Sequence, residues 1–244
     1  MTDGVLRLEL MRPEKLNAVT TELLEEIAAV VSTVGADGAV RAITLSGAGR
    51  GFCSGIDLGS ADAKGSLIAA NAAVRALRDA PVPVVAMVHG PAVGVGCSLA
   101  MACDIVLMAR SSYLMLAFTR IGLMPDGGAT ALVAASAGRA RAIRMALLAE
   151  KVFADTAVAW GLVAGVVDDD RLQEEGTALA ARLAQGPTIA FALTKQAINA
   201  ASLDELEAAL KREAVGQSLL AVTPDFEEGV AAFLAKREPR FAGR

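Results

Sequence analysis

The chain has 244 residues, 54% of them hydrophobic but only 4% aromatic, with a formal net charge of −4. This length suits one large α/β domain or a domain with a helical tail, and the apolar content excludes a disordered chain. The negative balance argues against sequence-independent nucleic-acid binding, so an anionic ligand must be held by local Arg, Lys or backbone N–H groups.

Residues 5–11 alternate and run into Arg12-Pro13, which predicts a strand. Thr20 suits the cap of a helix over 21–34, with Leu23, Leu24, Ile27, Val30 and Val31 on one face. A strand over 40–46 leads into a Gly-rich loop and then a helix over 67–80. Residues 82–88 read as a fully buried strand, 96–102 as a short helix, 105–109 as another strand and 113–116 as a further short one. Strand–helix–strand alternation of this kind predicts right-handed crossovers between parallel strands.

From Gly127 onward the pattern is helical, over 129–137, 140–148, 154–160, 171–184, 189–200, 203–220 and 225–235, with one strand-like interruption at 163–167. Residues 1–185 are therefore read as an α/β core and 186–244 as a helical region. The apolar stripes of that region (Leu203, Leu206, Leu210; Val230, Phe233, Leu234) need either their own core or a neighbouring subunit to bury against. Residues 80–109 are apolar enough to suggest a membrane span, but Pro81, Pro83, Pro91, His89 and Asp104 interrupt them. No charged-then-apolar leader precedes residue 5, and Cys53, Cys97 and Cys103 are an odd number with no metal-type spacing. Both features predict a cytosolic protein with reduced thiols and no metal.

Two loops carry the chemistry. Gly49-Arg50-Gly51-Phe52-Cys53-Ser54-Gly55-Ile56-Asp57-Leu58 and the stretch from Gly90 to Asp104 each follow a strand-like run, and both are built of small residues. Such loops let backbone N–H groups approach a ligand closely, and two of them can aim one N–H each at a single oxygen. A dinucleotide-binding reading of Gly94-Val95-Gly96 fails because Leu99 stands where the third glycine is needed. A serine hydrolase using Ser98 and His89 lacks the Gly-x-Ser-x-Gly elbow, and His89 reads as a packing residue at a strand end.

These two loops resemble those of the crotonase (enoyl-CoA hydratase/isomerase) superfamily, and the resemblance covers nearly the whole chain. Arg12-Pro13-Glu14-Lys15-Leu16-Asn17-Ala18 is similar to its N-terminal loop. Phe118-Thr119-Arg120-Ile121-Gly122-Leu123-Met124-Pro125-Asp126-Gly127-Gly128 is similar to the loop behind the acyl group. The resemblance implies an α/β fold, a crotonase-type spiral of ββα turns with a C-terminal helical trimerisation region. It also implies a homotrimer or a dimer of trimers, and an acyl-CoA thioester as ligand. Coenzyme A would enter as part of the substrate, with no separate cofactor. The implied oxyanion-hole donors are the N–H groups of Ile56 and Val95. Arg12, Lys15, Ser54, Ile56, Asp57, Ser98 and Phe118 are the implied substrate and CoA contacts.

Hydratases of this family use two glutamates. The implied positions hold Ser98, two residues after Gly96, and Phe118, four before Gly122, and neither side chain can move a proton as a carboxylate does. Asp126 falls where the family's double-bond isomerases carry an acidic residue. The segments 118–149, 190–199 and 225–244 are similar to those of epoxyphenylacetyl-CoA isomerases in particular. The expected reaction is therefore isomerisation with Asp126 as the base, and hydration or acyl-CoA binding without chemistry are the alternatives. On local sequence alone, Asp126 also suits a turn, Ser98 a packed helical turn, and Asp57 a helix cap.

Overall fold

The computed structural model describes residues 3–35, 38–59 and 63–244. Its first half repeats one unit: a strand in a main sheet, a short strand or single bridge in a second layer, then a helix. Strand β1 (Val5–Leu10) leads through a bridge at Val19 to helix α1 (Thr21–Ser32), and β2 (Ala42–Gly47) through a bridge at Cys53 to α2 (Ala63–Asp79). Strand β3 (Val84–Val88) leads through β4 (Pro91–Val93) to α3 (Val95–Met101). Strand β5 (Ile105–Ala109) leads through β6 (Tyr113–Met115) and a 3-10 turn (Ala117–Ile121) to α4 (Ala129–Ala137). This is the expected spiral of ββα turns.

The main sheet closes with β8 (Gly165–Val167) in the order β1-β2-β3-β5-β8, every pair parallel. Helices cover it, so β2 and β3 are buried along their whole length, as parallel strands with both faces packed must be. In the second layer β4 pairs parallel with β6, and β6 antiparallel with β7 (Val152–Phe153). The sequence reading placed no strand at 91–93 or 152–153. Runs this short carry no period of their own and exist because β6 pairs with them.

Thr20 caps α1 as expected, its hydroxyl accepting the Leu23 N–H, and Leu24, Ile27 and Val31 form the buried stripe. The helix ends at Ser32 rather than 34. Thr33 and Val34 donate to Val30 and Val31, the tightened i−3 bonds that commonly finish a helix.

The second half adds α5 (Arg139–Leu148), α6 (Ala154–Ala159), α7 (Leu172–Ala184), α8 (Thr188–Ser202), α9 (Leu206–Leu220) and α10 (Pro224–Leu234). The region from 186 onward folds back on its own chain. Leu206 and Leu210 of α9 join the main core, and α10 packs on the 3-10 turn at Ala117–Ile121. Lys195 ties α8 to the sheet by reaching the Asp104 carboxylate at 2.7 Å and the Val82 carbonyl at 3.2 Å. No described helix is long and apolar enough to cross a membrane.

One buried residue welds the N-terminal loop to the loop after β2. Asn17 sits in the left-handed region (φ 55°), a conformation Asn tolerates better than most residues. Its amide donates to Ala48 O at 2.8 Å and Gly51 O at 2.7 Å, while its Oδ1 accepts the Arg12 N–H at 2.9 Å. Asn17→Ala strands three backbone groups, so a loss of roughly 3 kcal/mol in denaturant unfolding is expected. A midpoint indistinguishable from that of the parent chain would contradict this role.

Candidate functional site

The two small-residue loops are stitched to each other along the second layer. Phe52 N–H donates to His89 O at 2.8 Å, Cys53 N–H to Pro91 O at 2.9 Å, and Val93 N–H back to Cys53 O at 2.9 Å. This brings Gly55 against Gly94. A Cβ on Gly55 would lie 3.1 Å from Val93 O, and Gly94 turns the chain into α3 with φ 54° and ψ −124°, which disfavours any side chain. The residues immediately after these two glycines are Ile56 and Val95.

The N–H groups of both are free for a reason written into the backbone. The bridge to Val19 uses Gly55 O and Asp57 N–H, at 2.8 and 2.9 Å, so the intervening Ile56 N–H points the opposite way along the extended chain. Val95 opens α3, where the first N–H groups have no partner within the helix. Among the described residues, no backbone acceptor takes either N–H. Two adjacent, fixed and unpaired donors are what an oxyanion hole requires.

Asp126 lies against α3. Ser98 connects the two, its hydroxyl donating to Asp126 O at 2.8 Å from a side chain with no exposed surface. The Asp126 carboxyl is itself buried. Its Oδ2 accepts the Gln217 Nε2 hydrogen bond at 2.7 Å, and its Oδ1 has no partner. Burial raises its pKa to about 7; the Gln217 hydrogen bond opposes that rise and the charge of Glu213 adds to it.

Glu213 and Gln217, both on α9, are site residues that sequence reasoning missed. Glu213 is fully buried and accepts the N–H groups of Gly128 at 2.7 Å and Thr130 at 3.0 Å, together with the Thr130 hydroxyl. It thereby caps α4, whose own N-cap residue, Gly128, has no side chain to do so. With these bonds its carboxylate is committed to backbone, and burial raises its pKa. A signal for both residues existed: positions 206, 210, 213 and 217 continue one helical stripe, so the stripe of Leu206 and Leu210 runs on into Glu213 and Gln217.

The other expected contacts divide. Arg12 turns inward, donating to the Asp57 carboxylate at 2.8 Å and to Ala18 O at 2.6 Å. The Arg12 guanidinium holds the Asp57 carboxyl below the usual carboxylate range. Asp57 Oδ1 accepts the N–H of Gly59. Lys15 is more exposed, its Nζ 3.9 Å from Asp57. Ser54 donates its hydroxyl to Lys15 O at 3.1 Å. Phe118 is buried, its ring facing Gly94 beside the second loop. His89 Nε2 lies 3.1 Å from Gly49 O, a contact at the strand end. The three thiols are buried and unpaired; burial pushes Cys53 and Cys97 up to about 12 and Cys103 further, so none is a ready nucleophile.

The profile of the enoyl-CoA hydratase/isomerase family matches residues 1–244. A 1,2-epoxyphenylacetyl-CoA isomerase of Escherichia coli (strain K12) is 42% identical over 251 residues, covering 99% of this chain and 96% of that protein. A probable enoyl-CoA hydratase of Rhodobacter capsulatus is 43% identical, covering 100% of this chain and 96% of that protein. The crystal structure of an enoyl-CoA hydratase from Mycobacterium avium subsp. paratuberculosis K-10 superposes with a TM-score of 0.94 at 48% identity, covering 99% of this chain and 96% of that one.

Proposed function

The chain belongs to the enoyl-CoA hydratase/isomerase family, and from that premise we propose that it isomerises an enoyl-CoA or a related ring acyl-CoA. Asp126 is the base in this reading, and the Ile56 and Val95 N–H groups form the oxyanion hole. The observation that carries it is a buried carboxyl with one unpartnered oxygen, joined through Ser98 to the helix whose first N–H is unpaired among the described residues.

The chemistry balances with that one group. The Asp126 carboxylate takes a proton from C2 of a 3-enoyl thioester. The electron pair of the C–H bond spreads through C3=C4 and onto the thioester oxygen, where the two N–H groups meet the developing charge. The same carboxyl returns the proton at C4, and the double bond ends between C2 and C3. Hydration needs a second acid/base group to activate water, and Ser98 and Phe118 occupy the positions where the family resemblance implies glutamates. Glu213 does not replace them, because both its oxygens are engaged by Gly128 and Thr130.

Two finer points belong to the same proposal. The protein works as a trimer or a dimer of trimers, supported by apolar side chains left exposed on α5 and on the C-terminal helices, among them Leu147, Ile189, Leu193 and Phe233. It works in the cytosol, where three unpaired thiols stay reduced.

The test is turnover of a 3-enoyl-CoA and a 2-enoyl-CoA across pH. A base must be unprotonated to act, so kcat/KM for the 3-enoyl substrate should fall about tenfold per pH unit below a limb near the Asp126 value of about 7. Rapid hydration of the 2-enoyl substrate, with no conjugation of the 3-enoyl one, would replace this reading with a hydratase.

A further inference from the structure

We propose that Gln217 is the positioning residue for the base: it locks Oδ2 of Asp126 and so makes Oδ1 the one oxygen that takes the substrate proton and gives it back. This rests on the isomerase reading and adds to it a residue on α9 that acts through Asp126 rather than on the substrate.

The geometry fixes the amide unambiguously. Gln217 Nε2 lies 2.8 Å from Met124 O and 2.7 Å from Asp126 Oδ2. Both partners are acceptors, so the group facing them is the NH2, and both its hydrogens are spent. Flipping the amide would set Oε1 against a carbonyl and a carboxylate, with no hydrogen between them. One hydrogen therefore anchors Gln217 to the backbone two residues before Asp126, and the other reaches the carboxyl. The carboxyl is thereby held to the loop that carries it, and the loop to α9.

The lock is asymmetric, and this has a chemical consequence. A proton on Oδ2 would point at an NH2 group whose hydrogens are already placed, so the protonated form carries its proton on Oδ1. That oxygen is buried and has no partner among the described residues. A proton taken by Oδ1 from C2 meets no bulk water and no competing acceptor, and the nearest use for it is C4 of the same dienolate. The balance is that of the isomerisation: the C2–H bond breaks, Oδ1–H forms and breaks, and C4–H forms.

Among the described residues, the groups around Asp126 are otherwise engaged or apolar. Ser98 of α3 already donates its hydroxyl to the Asp126 backbone carbonyl, and Val74 of α2, packed near Gly127, is apolar. From α9 the neighbours are Gln217 and Glu213, the latter bound to Gly128 and Thr130. Glu213 is the ionisable group whose charge bears on Asp126, and it raises the pKa that Gln217 lowers.

The experiment uses the whole chain as Gln217→Met, which keeps length and removes the donor, and as Gln217→Glu, which keeps size and, once ionised, offers no hydrogen. Three quantities are read. They are kcat and KM against pH with 3-hexenoyl-CoA, the Kd of hexanoyl-CoA, and the infrared titration of the Asp126 carboxyl, assigned by its absence in Asp126→Asn. With the donor gone, the charged form of Asp126 loses its stabilising bond, so its titration and the acid limb of the profile both move up by about one pH unit. A misplaced base lowers kcat by about a hundredfold, while KM and the Kd of hexanoyl-CoA stay close to those of the parent chain. Gln217→Glu falls in the same way once residue 217 is ionised.

Unchanged titration and acid limb in Gln217→Met, even with a lower Tm, would reduce Gln217 to a packing residue and overturn the proposal, as would full activity of Gln217→Glu at a pH where its infrared spectrum shows residue 217 ionised. The isomerase reading stands or falls separately, on the parent chain. If the parent leaves 3-hexenoyl-CoA unchanged, the isomerase reading and the proton-returning role of Oδ1 fall together. If the parent converts it and the Asp126 titration ignores Gln217, the inference alone fails.

Discussion

Asp126→Asn is expected to abolish isomerisation while stabilising the folded chain at alkaline pH. The loss of activity should be about a thousandfold, since an amide neither takes nor returns a proton and no second carboxylate is available. The gain in stability follows from the sign of the pKa shift. Burial lifts Asp126 from an ordinary value of 3.8 to about 7, so the folded chain holds a proton that the unfolded chain has already released. Folding is undisturbed by this group below about pH 4 and is penalised increasingly as pH rises towards 7. Above that the penalty is level at roughly 4 kcal/mol.

Asparagine carries no such penalty. The Tm of Asp126→Asn relative to the parent should therefore rise between pH 4 and pH 8 by on the order of 10 °C. Thermal scans of both proteins at the two pH values decide the matter. A Tm difference independent of pH would mean that Asp126 ionises in the folded chain as easily as in water, and the argument for a poised base would lose its physical basis. Retained turnover in the variant would remove Asp126 from the reaction altogether.

Gly96→Ala should be nearly as damaging to activity by a different route. A Cβ at residue 96 would lie 2.7 Å from both Cβ and O of Cys53, inside any tolerable contact. Cys53 cannot yield without cost, because its N–H is bound to Pro91 and its carbonyl to Val93, the two bonds that join the loops. The strain is relieved by spreading the loops, which moves the Val95 N–H away from the Ile56 N–H. Losing the alignment of one donor is expected to lower kcat by roughly 10²- to 10³-fold, with KM changing far less because the charge appears only in the transition state. The fold should survive with a cost of about 1–3 kcal/mol. Steady-state kinetics beside a denaturant curve separate the two effects. Wild-type kcat in a variant of normal stability would show that the contact between the loops does not set the donor geometry.

The elements legible in the sequence were those encoded within a few residues of themselves. The alternation of β1, an edge strand with Arg7 and Glu9 exposed, and the apolar runs of β2, β3 and β5 place the main sheet, because β2 and β3, buried on both faces, must be apolar along their length. The glycines at 94 and 96 mark the turn into α3, since one takes a backbone conformation and the other a contact that exclude a side chain. Asp126, by its neighbours alone, suits a turn, and only the family resemblance singles it out. Arg12 was legible as a loop cation but not in its orientation; its guanidinium finds Asp57, 45 residues away, rather than solvent.

What sets the surroundings of Asp126 lies outside any local window. Gln217 and Glu213 stand 91–93 and 83–85 residues from the groups they bind, on a helix where they look like ordinary polar residues. Their clue, a polar continuation of an apolar stripe, says that they are buried but not against what. The sequence by itself determines the main-sheet strands, the helices and the two small-residue loops, because periodicity, small residues and turns act over short range, whereas the ββα spiral is what the family resemblance implies. Only the packing of α9 onto the 124–130 segment decides that the carboxyl is dry, that its pKa is raised and that one of its oxygens is held. Desolvation and hydrogen bonding depend on which surfaces meet in space.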